Sequence, residues 1–167
     1  MNGRMIPDMP SVYLETTIIS YLTARPSRDL VVAGHQETTR QWWETRRGEY
    51  RLYISAFVID EASAGDAEAA ERRMNMLEGI DVLDVDPGAE KLALAILAAL
   101  DIPEKARIDA YHIGYAMFYE MDYLLTWNCS HLANGAAMRR LADFARRENH
   151  WLPIIVTPLE LMDEQQE

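Results

Sequence analysis

Five short apolar runs rich in β-branched or aromatic side chains alternate along this chain with longer stretches in which apolar residues recur at helical spacing. The runs cover residues 12–14, 52–54, 82–85, 123–125 and 154–156, and each predicts a strand. The helical stretches cover 29–47, 67–77, 87–100, 103–119 and 131–147. Few folds accept that order. Strands separated by helices pair in parallel through right-handed crossovers, so the sequence predicts a three-layer α/β fold with a central parallel sheet of about five strands flanked by helices.

The punctuation agrees. Asp86 before Pro87 offers an N-cap followed by proline at the first helical position. Thr157-Pro158-Leu159-Glu160 combines such a proline with a capping box, which predicts a last short helix there. No repeat, low-complexity tract or Gly/Ser linker interrupts the pattern, and 167 residues with a hydrophobic fraction of 49% suit one self-folding domain. The lone Cys129 excludes an intrachain disulfide. Residues 1–10 lack the apolar core of a signal peptide and no apolar stretch is long enough to span a bilayer, so the expectation is a soluble cytoplasmic protein.

Sixteen Lys and Arg against twenty-seven Asp and Glu leave a net charge of −11. That field repels a polyanion and argues against passive nucleic-acid binding. An enzyme remains open, because a metal ion reverses the local sign where carboxylates cluster. A basic partner segment also suits such a surface.

In open parallel sheets, ligands bind beyond the carboxyl ends of the strands. Glu15 directly follows the first run, Glu61 lies shortly after the second, Asp109 sits in the helix before the fourth, and Asn128 directly follows the fourth. Glu15 either serves that site or simply complements a helix N-terminus. Glu61 shares a helical face with Phe57 and Val58, unlike a solvated charge. Asp109 lies on a stripe with Ala106, Ile113 and Ala116, where an ionised carboxylate needs a cation, a metal or dense hydrogen bonding. Arg107, two residues away, points elsewhere. Asn128 can offer a carbonyl oxygen to a metal or cap the helix expected from His131. Oxygen ligands of this kind select Mg2+ or Mn2+ over zinc. Cys129 with His131 lacks an orienting third group for thiol catalysis, and His112 is either near the site or a satisfied core histidine.

These positions fall in Val12-Tyr13-Leu14-Glu15-Thr16-Thr17, Ile59-Asp60-Glu61-Ala62, Ile108-Asp109-Ala110-Tyr111-His112-Ile113 and Leu124-Leu125-Thr126-Trp127-Asn128. In order and spacing the set resembles the PIN-domain ribonucleases, particularly the VapC toxins of toxin–antitoxin pairs. The resemblance implies a PIN-like domain over 11–161 with flexible termini at 1–10 and 162–167. It implies Mg2+ or Mn2+ held by Glu15, Glu61 and Asp109, with Asn128 completing the catalytic set. Thr16 and Thr17 would position a water, Arg25, Arg28 and Arg40 could meet phosphate, and His112 lies close by. RNA is the implied substrate and an antitoxin protein the implied partner. From the residues themselves, Trp42, Trp43 and the apolar face of 29–47 bury either against the core or against a second subunit in a homodimer. The chain departs from the family in carrying Glu15 and Asn128 where aspartate is common. A non-catalytic interaction module and a metal-dependent phosphatase are the competing readings.

Overall fold

A computed structural model describes residues 9–130 and 132–162. Five strands, β1 (Ser11–Leu14), β2 (Arg51–Ile54), β3 (Asp81–Val82), β4 (Tyr123–Leu125) and β5 (Ile154–Val156), form one sheet in the order β3, β2, β1, β4, β5. Every pairing is parallel. Central β1 is buried along its whole length, as expected of a strand covered on both faces. Succession along the sheet reverses between β1 and β4, so the crevice beyond their carboxyl ends is the topological switch point.

Among the described residues seven α-helices flank the sheet: α1 (Thr16–Thr23), α2 (Leu30–Thr45), α3 (Ala56–Ser63), α4 (Ala67–Leu77), α5 (Pro87–Ala99), α6 (Arg107–Phe118) and α7 (Gly135–Glu148). The first four pack among themselves, and α5 packs on α6 and α7. At the α5–α6 contact a Cβ on Gly114 would lie 2.8 Å from the Cα of Ala93, so glycine permits the approach that sets α6 in place. No described helix is long and apolar enough to cross a membrane.

Several boundaries differ from expectation for local reasons. The third strand ends at Val82 instead of running to Val85, because it is an edge strand and the chain soon turns to place Asp86 as the N-cap of α5. The fifth long helix begins at Gly135, where the Asn134 side chain accepts from the N–H groups of Ala136 and Ala137. Glu160 does accept from the Thr157 N–H, but residues 158–162 form turns instead of the expected helix. One capped turn is too short to offset the cost of nucleation. Trp42 and Trp43 of α2 are buried within the chain, while Leu30 and Val31 in its first turn are exposed.

The terminal segments expected to be flexible lie mostly outside the described residues. The described part of the N-terminal one is held: carbonyls of Met9 and Pro10 accept from Arg51.

Candidate metal centre

The strand β1 delivers Glu15 to the switch point with extended backbone, where it becomes the N-cap of α1. Its Oε2 accepts from the Thr17 N–H and hydroxyl, and from the Thr126 hydroxyl at 2.7 Å. The Thr126 contact follows from register. Leu14 pairs with Leu125, so the next residues of β1 and β4 face each other across the crevice. Helix capping and site position are therefore one arrangement in Glu15, which is only 4% exposed.

Glu61 reaches the same place from α3. Its Oε2 accepts from the Thr16 hydroxyl at 2.6 Å and lies 2.8 Å from His112 Nε2. The other ring nitrogen of His112 is 2.8 Å from the Tyr13 hydroxyl, itself 2.7 Å from the Ser55 hydroxyl. His112, Tyr13 and Ser55 are fully buried. Burial works to lower the His112 pKa, but the hydrogen bond with Glu61 and the negative charges of Glu15, Glu61 and Asp109 outweigh it and raise the pKa. Burial likewise works to raise the Glu61 pKa, and His112 together with the Thr16 hydroxyl brings it below the ordinary carboxylate value. Burial keeps the Tyr13 phenol protonated far above neutrality. The row of hydroxyls suits either state of His112: the phenol donates to a neutral ring, or turns its proton to Ser55 and accepts from a charged one.

Asp109, in the first turn of α6, is 6% exposed. Its Oδ1 accepts from the Asn128 side-chain amide at 3.0 Å, and the Asn128 N–H donates to Thr126 Oγ1 at 2.9 Å. A path of hydrogen bonds thus runs from Glu15 through Thr126 and Asn128 to Asp109. Arg107 turns away to Glu104 and Tyr111. The Asn128 side chain does not cap α7, a role taken by Asn134, and the Asn128 carbonyl instead accepts from Leu132 and Ala133.

One ligand atom from each of Glu15, Glu61 and His112 lies within 4.8 Å of the others, and Asp109 stands outside that tight group. His112 is nevertheless a poor ligand, since both its nitrogens are committed to hydrogen bonds and its raised pKa favours N–H over a lone pair. The available donors are carboxylate oxygens. Among the described residues, the partners of Glu15 and Glu61 are hydroxyls, an amide N–H and one histidine, with no Lys or Arg. Two acids gathered without a permanent cation, and a third nearby, fit a hard divalent ion.

Sequence reasoning singled out the acids, the two threonines, Asn128 and His112, but not Thr126, Tyr13 or Ser55. Only the pairing of β4 with β1 could have pointed to Thr126. Of the remaining candidates, Cys129 is exposed, Arg25 and Arg28 are exposed on the loop before α2, and Arg40 pairs with Glu37. His131 lies outside the described residues.

No protein-family model matches the chain, and no curated protein matches its sequence. Among solved structures, a chain from the complex described as VapBC2 from Rickettsia felis bound to a DNA fragment from their promoter is similar, with a TM-score of 0.54 and 15% identity. The match covers 87% of this chain and 97% of that one. At this identity the likeness is one of fold, and it agrees with a PIN-like arrangement of the five parallel strands.

Proposed function

We propose that this protein is a metal-dependent endoribonuclease of the PIN type, cleaving RNA with Mg2+ or Mn2+ held by Glu15, Glu61 and Asp109. The observation that carries the reading is the gathering of buried and half-buried acids at the switch point without a Lys or Arg on Glu15 or Glu61. When bound, the ion would lower the pKa of a water and offset charge on the phosphate under attack.

The chain's own part is positioning. Thr17 and Thr126 fix one oxygen of Glu15, and Thr16 with His112 fixes one oxygen of Glu61. The second oxygen of each carboxylate would be available to hold the ion. The amide of Asn128 orients Asp109 without adding a fourth negative charge. His112 is a positioning residue whose proton is held between Glu61 and the Tyr13–Ser55 hydroxyls.

The same reading makes the chain the toxin of a toxin–antitoxin pair in the cytoplasm, with an antitoxin protein as partner and self-association in the assembly. Its support is the fold shared with a chain of the VapBC2 complex, together with an acidic surface suited to a basic partner segment.

The test is to incubate the purified protein with single-stranded RNA, DNA and a chromogenic phosphate ester in Mg2+, Mn2+ or EDTA. RNA cleavage that EDTA stops and that Glu15→Gln lacks is the expected result. Turnover of the ester alone would make the protein a phosphatase, and no turnover would make it a non-catalytic module.

A further inference from the structure

Beside the acids, three rings gather. The Trp127 and His35 rings stack with centroids 4.0 Å apart and planes 14° from parallel. Tyr21 lies 6.1 Å from His35 and 6.2 Å from Trp127. Those separations locate Tyr21 beside the stack. Were it over the far face of His35, its distance to Trp127 would approach the sum of the other two separations. Among the described residues no further ring contacts His35, which is half-buried. The histidine therefore has one face on Trp127 and the opposite face without a ring upon it.

The stack is hydrogen-bonded to its surroundings and linked to the acid cluster. The Trp127 indole N–H donates to Thr39 Oγ1 at 2.7 Å, and the Thr39 hydroxyl donates to the His35 carbonyl at 2.6 Å. The Trp127 backbone N–H donates to Thr17 Oγ1, the hydroxyl that bonds Glu15. Next to His35, buried Gln36 accepts from the Ser27 N–H and donates to the Arg25 carbonyl. That pair of bonds pins the loop carrying exposed Arg25 and Arg28. The flat π face is thus linked by hydrogen bonds to the acids, and the backbone of the loop that carries Arg25 and Arg28 is held to the residue beside His35.

We infer that the His35–Trp127 stack is a nucleobase subsite, on which an unpaired base of single-stranded RNA lies over the face of His35 turned away from Trp127 while Arg25 and Arg28 meet adjacent phosphates. The inference rests on the RNA-cleavage reading. It adds the place where one base of the strand is held, and a base in a duplex cannot offer its face to that stack. Stacking of this kind tolerates every base and selects for strandedness instead of sequence.

The test is equilibrium binding of a labelled single-stranded oligoribonucleotide in EDTA and low salt, beside the same oligomer with abasic positions and a duplex of equal length. Wild type should bind the base-bearing single strand about tenfold more tightly than the abasic one, from the alanine-substitution range for one stacked base. His35→Ala should remove that preference and His35→Phe should keep it. Equal binding of abasic and base-bearing strands by wild type, a preference unchanged in His35→Ala, or tighter binding of the duplex would overturn the subsite. The comparison in wild type needs no variant to fold. Base-dependent binding without Mn2+-dependent cleavage would sink the nuclease reading and leave the subsite standing. Cleavage without base-dependent binding would do the reverse.

Discussion

The two ends of β1 carry the same device and use it differently. At the amino end Asp122 accepts from the Ser11 N–H at 2.7 Å and hydroxyl at 2.9 Å, while Ser11 Oγ accepts from the Asp122 N–H. At the carboxyl end Glu15 accepts from the Thr126 hydroxyl across the same pair of strands. Each is a carboxylate–hydroxyl clasp between β1 and β4. The Asp122 clasp is reciprocal and closed, as befits a joint. Around Glu15 stand Glu61 and His112, with Asp109 joined through Thr126 and Asn128. A carboxylate bonded to hydroxyls is thus unremarkable in itself, and what marks a site is acids accumulating where the strands diverge.

The sharpest way to break this comparison is to remove one acid from each end. Glu15→Gln keeps volume but removes charge, and should lower metal-dependent RNA cleavage by about 100-fold or more, as expected when several kcal/mol of transition-state stabilisation are lost. Its melting temperature in EDTA should not fall, because like charge leaves the cluster. Asp122→Ala should do the opposite, costing about 1–3 kcal/mol through the orphaned Ser11 N–H and leaving cleavage per folded molecule unchanged. Assays corrected for folded fraction, beside thermal melts, decide it. Equal effects of the two variants on cleavage would erase the distinction.

A smaller effect should follow when an acid's support is removed and the acid kept. Thr126 is fully buried, donates to Glu15 and accepts from the Asn128 N–H. Thr126→Val preserves shape and deletes both bonds. Loss of such an outer partner should weaken metal affinity or cleavage roughly tenfold, near the lower end for residues that orient ligands. Metal titration followed by cleavage rate measures it, and unchanged metal dependence would show that Thr126 only joins the strands.

What could be read from sequence follows the same line. Glu15, Glu61 and Asp109 stand out because a charge at a strand end or on an apolar face conflicts with its surroundings. Thr126, Tyr13 and Ser55 show no such conflict, since a buried hydroxyl looks in sequence like any strand or turn residue. Their roles appear only when Leu14 is paired with Leu125 and α6 is set by the α5 contact at Gly114. The sheet was legible because short β-branched runs alternate with longer helical ones. Helices α1 and α3, eight residues each, are too short for periodicity to declare them. Helix α6 is buried on most of its surface, so the stripe that carries Asp109 is only part of what it buries.

The two ends should also differ in their response to pH in the metal-free protein. The Glu61 pKa is depressed from 4.5, so its contribution is present above that pH and is lost as pH falls through the lower folded value. The His112 pKa is raised from 6.5, so its contribution is complete below 6.5 and is lost as pH rises through the higher folded value. Both operate between 4.5 and 6.5. Wild type in EDTA should therefore melt at a higher temperature at pH 6 than at pH 9. His112→Gln should flatten that alkaline decline while Asp122→Ala retains it. A decline that persists in His112→Gln would assign it to groups outside the site.

The smallest expected effect concerns Asn128, which stands 3.0 Å from Asp109 and makes the carboxyl end of β1 less negative than a fourth acid would. Asn128→Asp replaces a donor by a like charge at hydrogen-bond distance. Two carboxylates so placed cannot both stay ionised without a cation between them or a proton on one. The metal-free variant should lose about 1–2 kcal/mol, a fall in melting temperature of about 2–8 °C for a chain of this size. A divalent ion should recover that loss by neutralising the pair. Binding should tighten a few-fold, and the Mg2+ or Mn2+ concentration for half-maximal cleavage should drop in proportion. Calorimetric titration with melts in EDTA and in metal tests both halves together. If melting in EDTA falls without any change in metal affinity, Asn128 touches Asp109 only as a neighbour, and the site's charge is set by Glu15 and Glu61.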